Sequence, residues 1–164
     1  MPDVARTRSA AALATSLAAV AAAAGIGGAG TAAGVRTWYP SLDRPSWRPP
    51  DEAFGPVWTA LYAGNAVSAW LVWRAGPRES RPALTLYGAQ LALNAAWPLL
   101  FFGLKRPGLA LVEIALLWVA IVAIVATVAT FARRHRVAAL LLVPYLAWVT
   151  VAMALNVELW RRNS

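Results

Sequence analysis

Nine tryptophans, a single histidine and no cysteine leave this chain with indole rings, not acids, bases or thiolates, as its main chemical equipment. Their spacing is informative. Gln90, Asn94, Trp97 and Phe101 follow one another at steps of four, three and four, the repeat of one helical face. Trp58, Tyr62 and Asn65 repeat the arrangement, Tyr145 and Trp148 stand one turn apart just after Pro144, and Asn156 lies two turns beyond Trp148. Indole faces stack on flat conjugated rings, and a neighbouring amide or phenol can hold a polar atom of the guest. Trp58, Trp97 and Trp148 therefore point to a shared cavity for a flat, apolar molecule. Gln90 and Asn94 suit such a cavity and an interhelical tie equally well, whereas Asn65 and Asn156 read as ties between helices. Glu113, the one carboxylate well inside an apolar stretch, is expected to pair with Lys105 or a nearby arginine.

Other chemistry is missing. His135 sits within Arg133-Arg134-His135-Arg136 and reads as a solvated loop residue. Only Met1 and Met153 carry sulfur, so axial haem ligands are poorly supplied. There is no Ser-His-Asp set, carboxylate pair, phosphate-binding glycine loop or metal motif. No metal site and no required cofactor are expected, and conventional acid–base or nucleophilic catalysis has no visible machinery. The net charge is +8, but the basic residues lie in short clusters between apolar runs, as lipid headgroup anchors do. No basic face suits nucleic acid.

The elements that must position these side chains are membrane helices. The chain has 164 residues, 60% of them hydrophobic, and a mean hydropathy of +0.56, values that suit a multi-pass integral membrane protein. Five apolar runs approach the roughly 20 residues a bilayer crossing needs. The expected fold is an all-α bundle of five transmembrane helices in a single domain over 1–164, with helices at about 10–35, 54–73, 82–104, 107–132 and 137–160. Prolines at the start of the third and fourth runs suit a first helical turn. The first run also resembles a secretory signal peptide, but its apolar stretch exceeds the usual core of about 7–15 residues, so a retained helix is expected. It carries a small-residue site, Gly30 to Gly34, suited to close helix packing, and Gly88, Ala92 and Ala96 suggest another close contact, including a dimer face. Basic residues divide eight against seven between the two sides, which leans toward a cytoplasmic N-terminus. The loop over 36–53 is long, Trp-bearing and proline-stiffened, a preformed lid rather than a plain connector.

These residues resemble the translocator protein family, also called the tryptophan-rich sensory protein (TspO/MBR) or peripheral-type benzodiazepine receptor family. Trp38-Tyr39, Arg44-Pro45-Ser46-Trp47 with Pro49-Pro50, and Gly55-Pro56-Val57-Trp58-Thr59 with Leu61-Tyr62 look like its first loop and second helix. Gln90 to Trp97 followed by Phe101-Phe102-Gly103 looks like its third helix, and Pro144-Tyr145 to Trp148 with Leu155-Asn156 and Trp160 like its fifth. The resemblance implies a five-helix bundle, often a homodimer, with a pocket under the first loop that binds protoporphyrin IX or a related tetrapyrrole. By position, Trp38, Trp47, Trp58, Asn94, Trp97, Tyr145, Ala147 and Trp148 are then ligand-binding residues, to which the helical faces read above add Tyr62 and Gln90. The implied role is to sense or handle porphyrins, or to transport them or other lipophilic compounds. Some bacterial members promote light-dependent porphyrin breakdown using tryptophans that match Trp58 and Trp148, which makes these two the candidate redox pair. The animal sterol motif is broken here, with Val157 and Glu158 in its frame, so sterol recognition is not expected. The Ala/Arg/Val-rich composition suggests a bacterial cell membrane.

Overall fold

The computed structural model describes residues 2–129 and 133–164, with side chains for 3–76, 80–129 and 136–164. Its helices are α1 (Pro2–Ala32), α2 (Asp51–Trp73), α3 (Pro77–Pro98), α4 (Pro107–Ala129) and α5 (Arg133–Arg162), with a 3₁₀ turn at Tyr39–Ser41 and a π-helical turn at Leu99–Gly103. α4 packs between α3 and α5, α2 lies against α5 and α1, and α1 closes the bundle against α3 and the π turn.

Among the described residues three helices are long and apolar enough to cross a membrane: α1, α4 and α5. α2 and α3 are about as long but carry polar side chains turned inward, Asn65 and Ser68 on one and Gln90 and Asn94 on the other, all buried. Those same polar groups lower the hydropathy of the two helices that line much of the interior.

Three helices start four or more residues before the expected position. α1 extends back through Arg6 and Arg8. α3 begins at Pro77, not Pro82, because Gly76 at φ 105° turns the chain and Pro77 stands in the first turn; the charged start is invisible to a hydropathy reading. α5 begins at Arg133, so the backbone at His135 is helical rather than loop; that side chain lies outside the described ones, and residues 130–132 lie outside the described residues altogether.

The third helix also does not run uniformly to Leu104. Pro98, lacking an N–H, ends its regular ladder, and the next turn widens so that Leu104 N–H bonds the Leu99 carbonyl at 2.8 Å. π turns of this kind re-aim side chains, often at functional sites. The end of α1 and the turn that follows it seat on this π turn through small residues. A Cβ on Gly30 would lie 2.8 Å from the Leu99 nitrogen, and one on Gly34 would overlap the Phe102 carbonyl. The expected close packing of that small-residue pair is thus observed.

The Trp-bearing loop is docked, not free. Pro45 is fully buried, and Trp38 and Tyr39 set their rings against Phe101 at 5.5 and 6.4 Å between centres. The Asp43 N–H donates to Asn163 Oδ1 (2.9 Å), Asn163 Nδ2 donates to the Asp43 carbonyl (3.1 Å) and Arg162 lies 3.5 Å from the Asp43 carboxylate. These contacts tie the loop to the end of α5.

Candidate functional site

Beneath the loop lies a cavity of about 470 Å³, within the roughly 300–1,000 Å³ range of small-molecule sites. α2 contributes Phe54, Trp58 and Tyr62, and α3 contributes Asn94 and Trp97. The π turn adds Phe101 and Phe102, α5 adds Val149, Ala152, Asn156 and Leu159, and the loop adds Tyr39. Trp97 and Phe101 are stacked, 4.9 Å apart and 17° from parallel. Trp58 leans on Tyr62 at 5.5 Å and meets Tyr145 edge-on at 6.2 Å. Seven of the 23 described wall residues are aromatic, set among small and aliphatic side chains.

A chain of hydrogen bonds forms the floor. Tyr62 donates to Asn94 Oδ1 (2.5 Å), Asn94 Nδ2 donates to the Tyr145 hydroxyl (2.7 Å), Tyr145 donates to Gln90 Oε1 (2.8 Å) and Gln90 Nε2 donates to Asn65 Oδ1 (3.3 Å). Three helices are joined by side chains that would each be costly to bury alone. Asn156 does similar work at the side: it accepts from Trp97 Nε1 (3.0 Å) and donates to the Pro107 carbonyl (2.9 Å). Asn65 and Asn156 are therefore interhelical ties, as expected, although Asn156 also reaches the cavity wall.

The sequence-derived site residues divide into three groups. Trp58, Tyr62, Asn94 and Trp97 are on the cavity wall. Gln90 and Tyr145 are fully buried behind it in the hydrogen-bonded floor, Trp38 lies behind Phe101, and Trp148 lies behind Phe54, ring centres 5.4 Å apart. Trp148 Nε1 is buried with no hydrogen-bond partner among the described residues. Trp47 is 49% exposed and Ala147 is exposed on α5; neither is on the wall. Ala152, five residues on, is. Stepping back four residues from Asn156 would have found it.

Glu113 corrects an expectation. It is buried, and neither carboxylate oxygen has a hydrogen-bond partner among the described residues. It shares the inward face of α4 with Ala110, Ile114 and Leu117, whereas Lys105 is exposed in the preceding link with φ 54°. Among the described residues the pairing with Lys105 or an arginine therefore does not occur. The small-residue stripe on α3 is likewise not a contact within the chain: Gly88 and Ala92 are exposed, with open space around Gly88.

Some wall residues left no mark in the sequence. Ala24, Gly27, Gly28 and Thr31 of α1 close one side, yet α1 is so uniformly Ala- and Gly-rich that no face stands out. Tyr39 was legible as part of the family motif and Phe54 as an aromatic residue beside it, but neither as a cavity residue, because loop and helix-start positions have no period to follow.

The model of the TspO/MBR family matches residues 14–161. A tryptophan-rich protein TspO of Archaeoglobus fulgidus is 37% identical over 153 residues, covering 93% of this chain and 97% of that protein. The human translocator protein is 42% identical over 129 residues, covering 77% of this chain and 75% of its own. The tryptophan-rich sensory protein of Cereibacter sphaeroides is 39% identical over 126 residues, covering 77% of each.

Proposed function

The chain belongs to the TspO/MBR family of membrane proteins, and from that premise we propose that it binds a tetrapyrrole of the protoporphyrin IX type in the aromatic cavity and acts as a sensor or handler of porphyrins. The observation that carries this reading is the wall itself: Trp58, the stacked Trp97–Phe101 pair and Phe54 around about 470 Å³ of apolar space. Conjugated rings stack on indole and phenyl faces at a gain beyond area burial. The polar floor offers few groups, so shape and ring faces dominate recognition.

In this reading all five helices cross the bilayer of a bacterial cell. α2 and α3, with 23 and 22 residues, reach about 33–35 Å at 1.5 Å per residue, against a hydrocarbon core of about 30 Å. Their buried polar residues turn to the bundle interior, where such groups are tolerated in a membrane. Two copies pair, as the family resemblance implies, and the small-residue spacing makes the exposed Gly88–Ala92 edge of α3 the face for it.

A second reading, light- and oxygen-dependent porphyrin breakdown, is favoured by one observation. Trp58 is on the wall and touches both Tyr62 and Tyr145, so an indole oxidised by a photoexcited guest has phenols beside it. Trp148 would act from behind Phe54.

The test is a dark titration of purified protein with protoporphyrin IX, read by tryptophan quenching, followed by illumination. Saturable quenching at micromolar concentration is expected; its absence overturns the binding reading. Trp58→Phe is expected to keep binding within about threefold, since phenylalanine still offers a ring face. If the breakdown reading holds, it also abolishes light-driven loss of the porphyrin spectrum beyond a protein-free control.

A further inference from the structure

At the loop end the cavity wall acquires a charged side chain. Asp51 is the only carboxylate among the described wall residues, and its Oδ1 receives Arg48 Nη1 at 2.5 Å. Tyr39, also on the wall, has the Arg44 guanidinium over its ring at 5.4 Å. Burial pushes the Tyr39 phenol above its usual value, against the pull of Arg48 and Arg44, so at neutral pH it stays uncharged and does not neutralise either arginine. The other loop acid nearby, Asp43, is engaged by Arg162 and Asn163 instead. Two half-buried arginines and one wall carboxylate thus meet at the mouth of an apolar chamber.

The Arg48–Asp51 pair is poorly placed to be structural. The Asp51 side chain is 60% exposed, and ion pairs so open to solvent contribute little to stability. A guanidinium offers five donors in a planar fork that matches a carboxylate at two points. Asp51 occupies one of these donors at 2.5 Å, and the exchange of one carboxylate for another conserves charge.

We infer that Arg48 is the carboxylate-receiving residue of this cavity: the guest enters with its apolar edge inward and leaves its acid groups at the mouth, where one of them displaces Asp51 from Arg48. The inference rests on the porphyrin reading above and adds to it an orientation and a preference for free acids over esters. An apolar chamber alone would favour the ester, because the acid must shed its hydration. Arg48 reverses that order by supplying charge-assisted hydrogen bonds where the acid groups emerge.

The experiment titrates the full chain in lipid nanodiscs with protoporphyrin IX and, separately, with its dimethyl ester. The readout is the ratio of the two Kd values in each variant, so partition of the probes into lipid cancels between variants. Arg48→Gln is expected to lower the acid-over-ester preference about tenfold with ester affinity unchanged, and Asp51→Asn to raise it. Arg74→Gln, at the far end of α2 where the guanidinium lies over Trp70, is expected to leave the ratio as it is. An Arg48→Gln protein that binds the ester normally and keeps the wild-type ratio overturns the inference while leaving the porphyrin reading intact. Failure of the wild type to bind either probe overturns the porphyrin reading and this one with it. Should Arg48→Gln lose ester affinity as well, the fold is damaged and Asp51→Asn decides: an unchanged or lowered ratio there overturns the assignment.

Discussion

At the loop end of the bundle, Phe54, Trp58, Trp97 and Phe101 stand around about 470 Å³ of space. At the opposite end, Ile121, Ile124, Val128, Ala138 and Leu142 are packed to 1% exposure or less. The two ends share the same helices, so the difference comes from side chains. Branched aliphatic residues and alanine interdigitate and fill the space between helices. Large planar rings instead prop helices apart, and the walls must then be held by directional contacts. The loop end has these: the hydrogen-bonded floor, the Asn156 ties, the seat of α1 on the π turn and the Asp43–Asn163 latch. A binding site in a small bundle is made by giving up packing at one end and replacing it with hydrogen bonds and close backbone approach.

This contrast can be broken most severely at the filled end. Ile121→Ala removes a fully buried side chain from a tightly packed layer and is expected to cost about 2–5 kcal/mol, read as a large fall in Tm in detergent. An equal truncation on the hollow wall, Leu155→Ala, is expected to cost distinctly less, because part of that side chain already faces the cavity. Equal losses would contradict the division into filled and hollow ends. A smaller effect is expected from Tyr145→Phe. It keeps the ring but removes the hydroxyl between Asn94 and Gln90, leaving two buried amides short of a partner at a cost of about 1–3 kcal/mol. Thermal melting measures it, and porphyrin affinity should fall in the same variant because Asn94 and Tyr62 lose their anchor.

Where helical period applied, part of the cavity wall was readable in advance. Trp97, Phe101 and Asn94 stand on one face of α3 and its extension, and Trp58 and Tyr62 on one face of α2, as their spacing predicts. Family resemblance added the location under the loop. What it could not supply was depth. Tyr145 and Gln90 share a face with wall residues yet sit behind them, and Trp148 is screened by Phe54, distinctions of a few ångströms that arise only from packing between helices. Ala147 and Ala152 are chemically identical; only the rotation of α5 turns one outward and the other to the cavity. The contribution of α1 was illegible because nearly every position is small, and close approach is decided by which glycines meet the π turn. Glu113 was misread because a carboxylate near a helix start suggests an interfacial partner, while its neighbours Ala110, Ile114 and Leu117 show that its face is the inner one.

The central claim, that the hollow end is the ligand site, is tested most directly by filling it. Protoporphyrin IX is titrated in the dark, by tryptophan quenching, against wild type, Ala152→Phe and Ala147→Phe. Both substitutions add the same phenyl ring to α5, one into the cavity and one on its outer surface. The account predicts that Ala152→Phe weakens binding at least about tenfold, as expected for a ring that takes the space of the guest, and that Ala147→Phe binds as wild type does. Unchanged binding by a folded Ala152→Phe protein, or loss confined to Ala147→Phe, would place the ligand elsewhere and contradict the account.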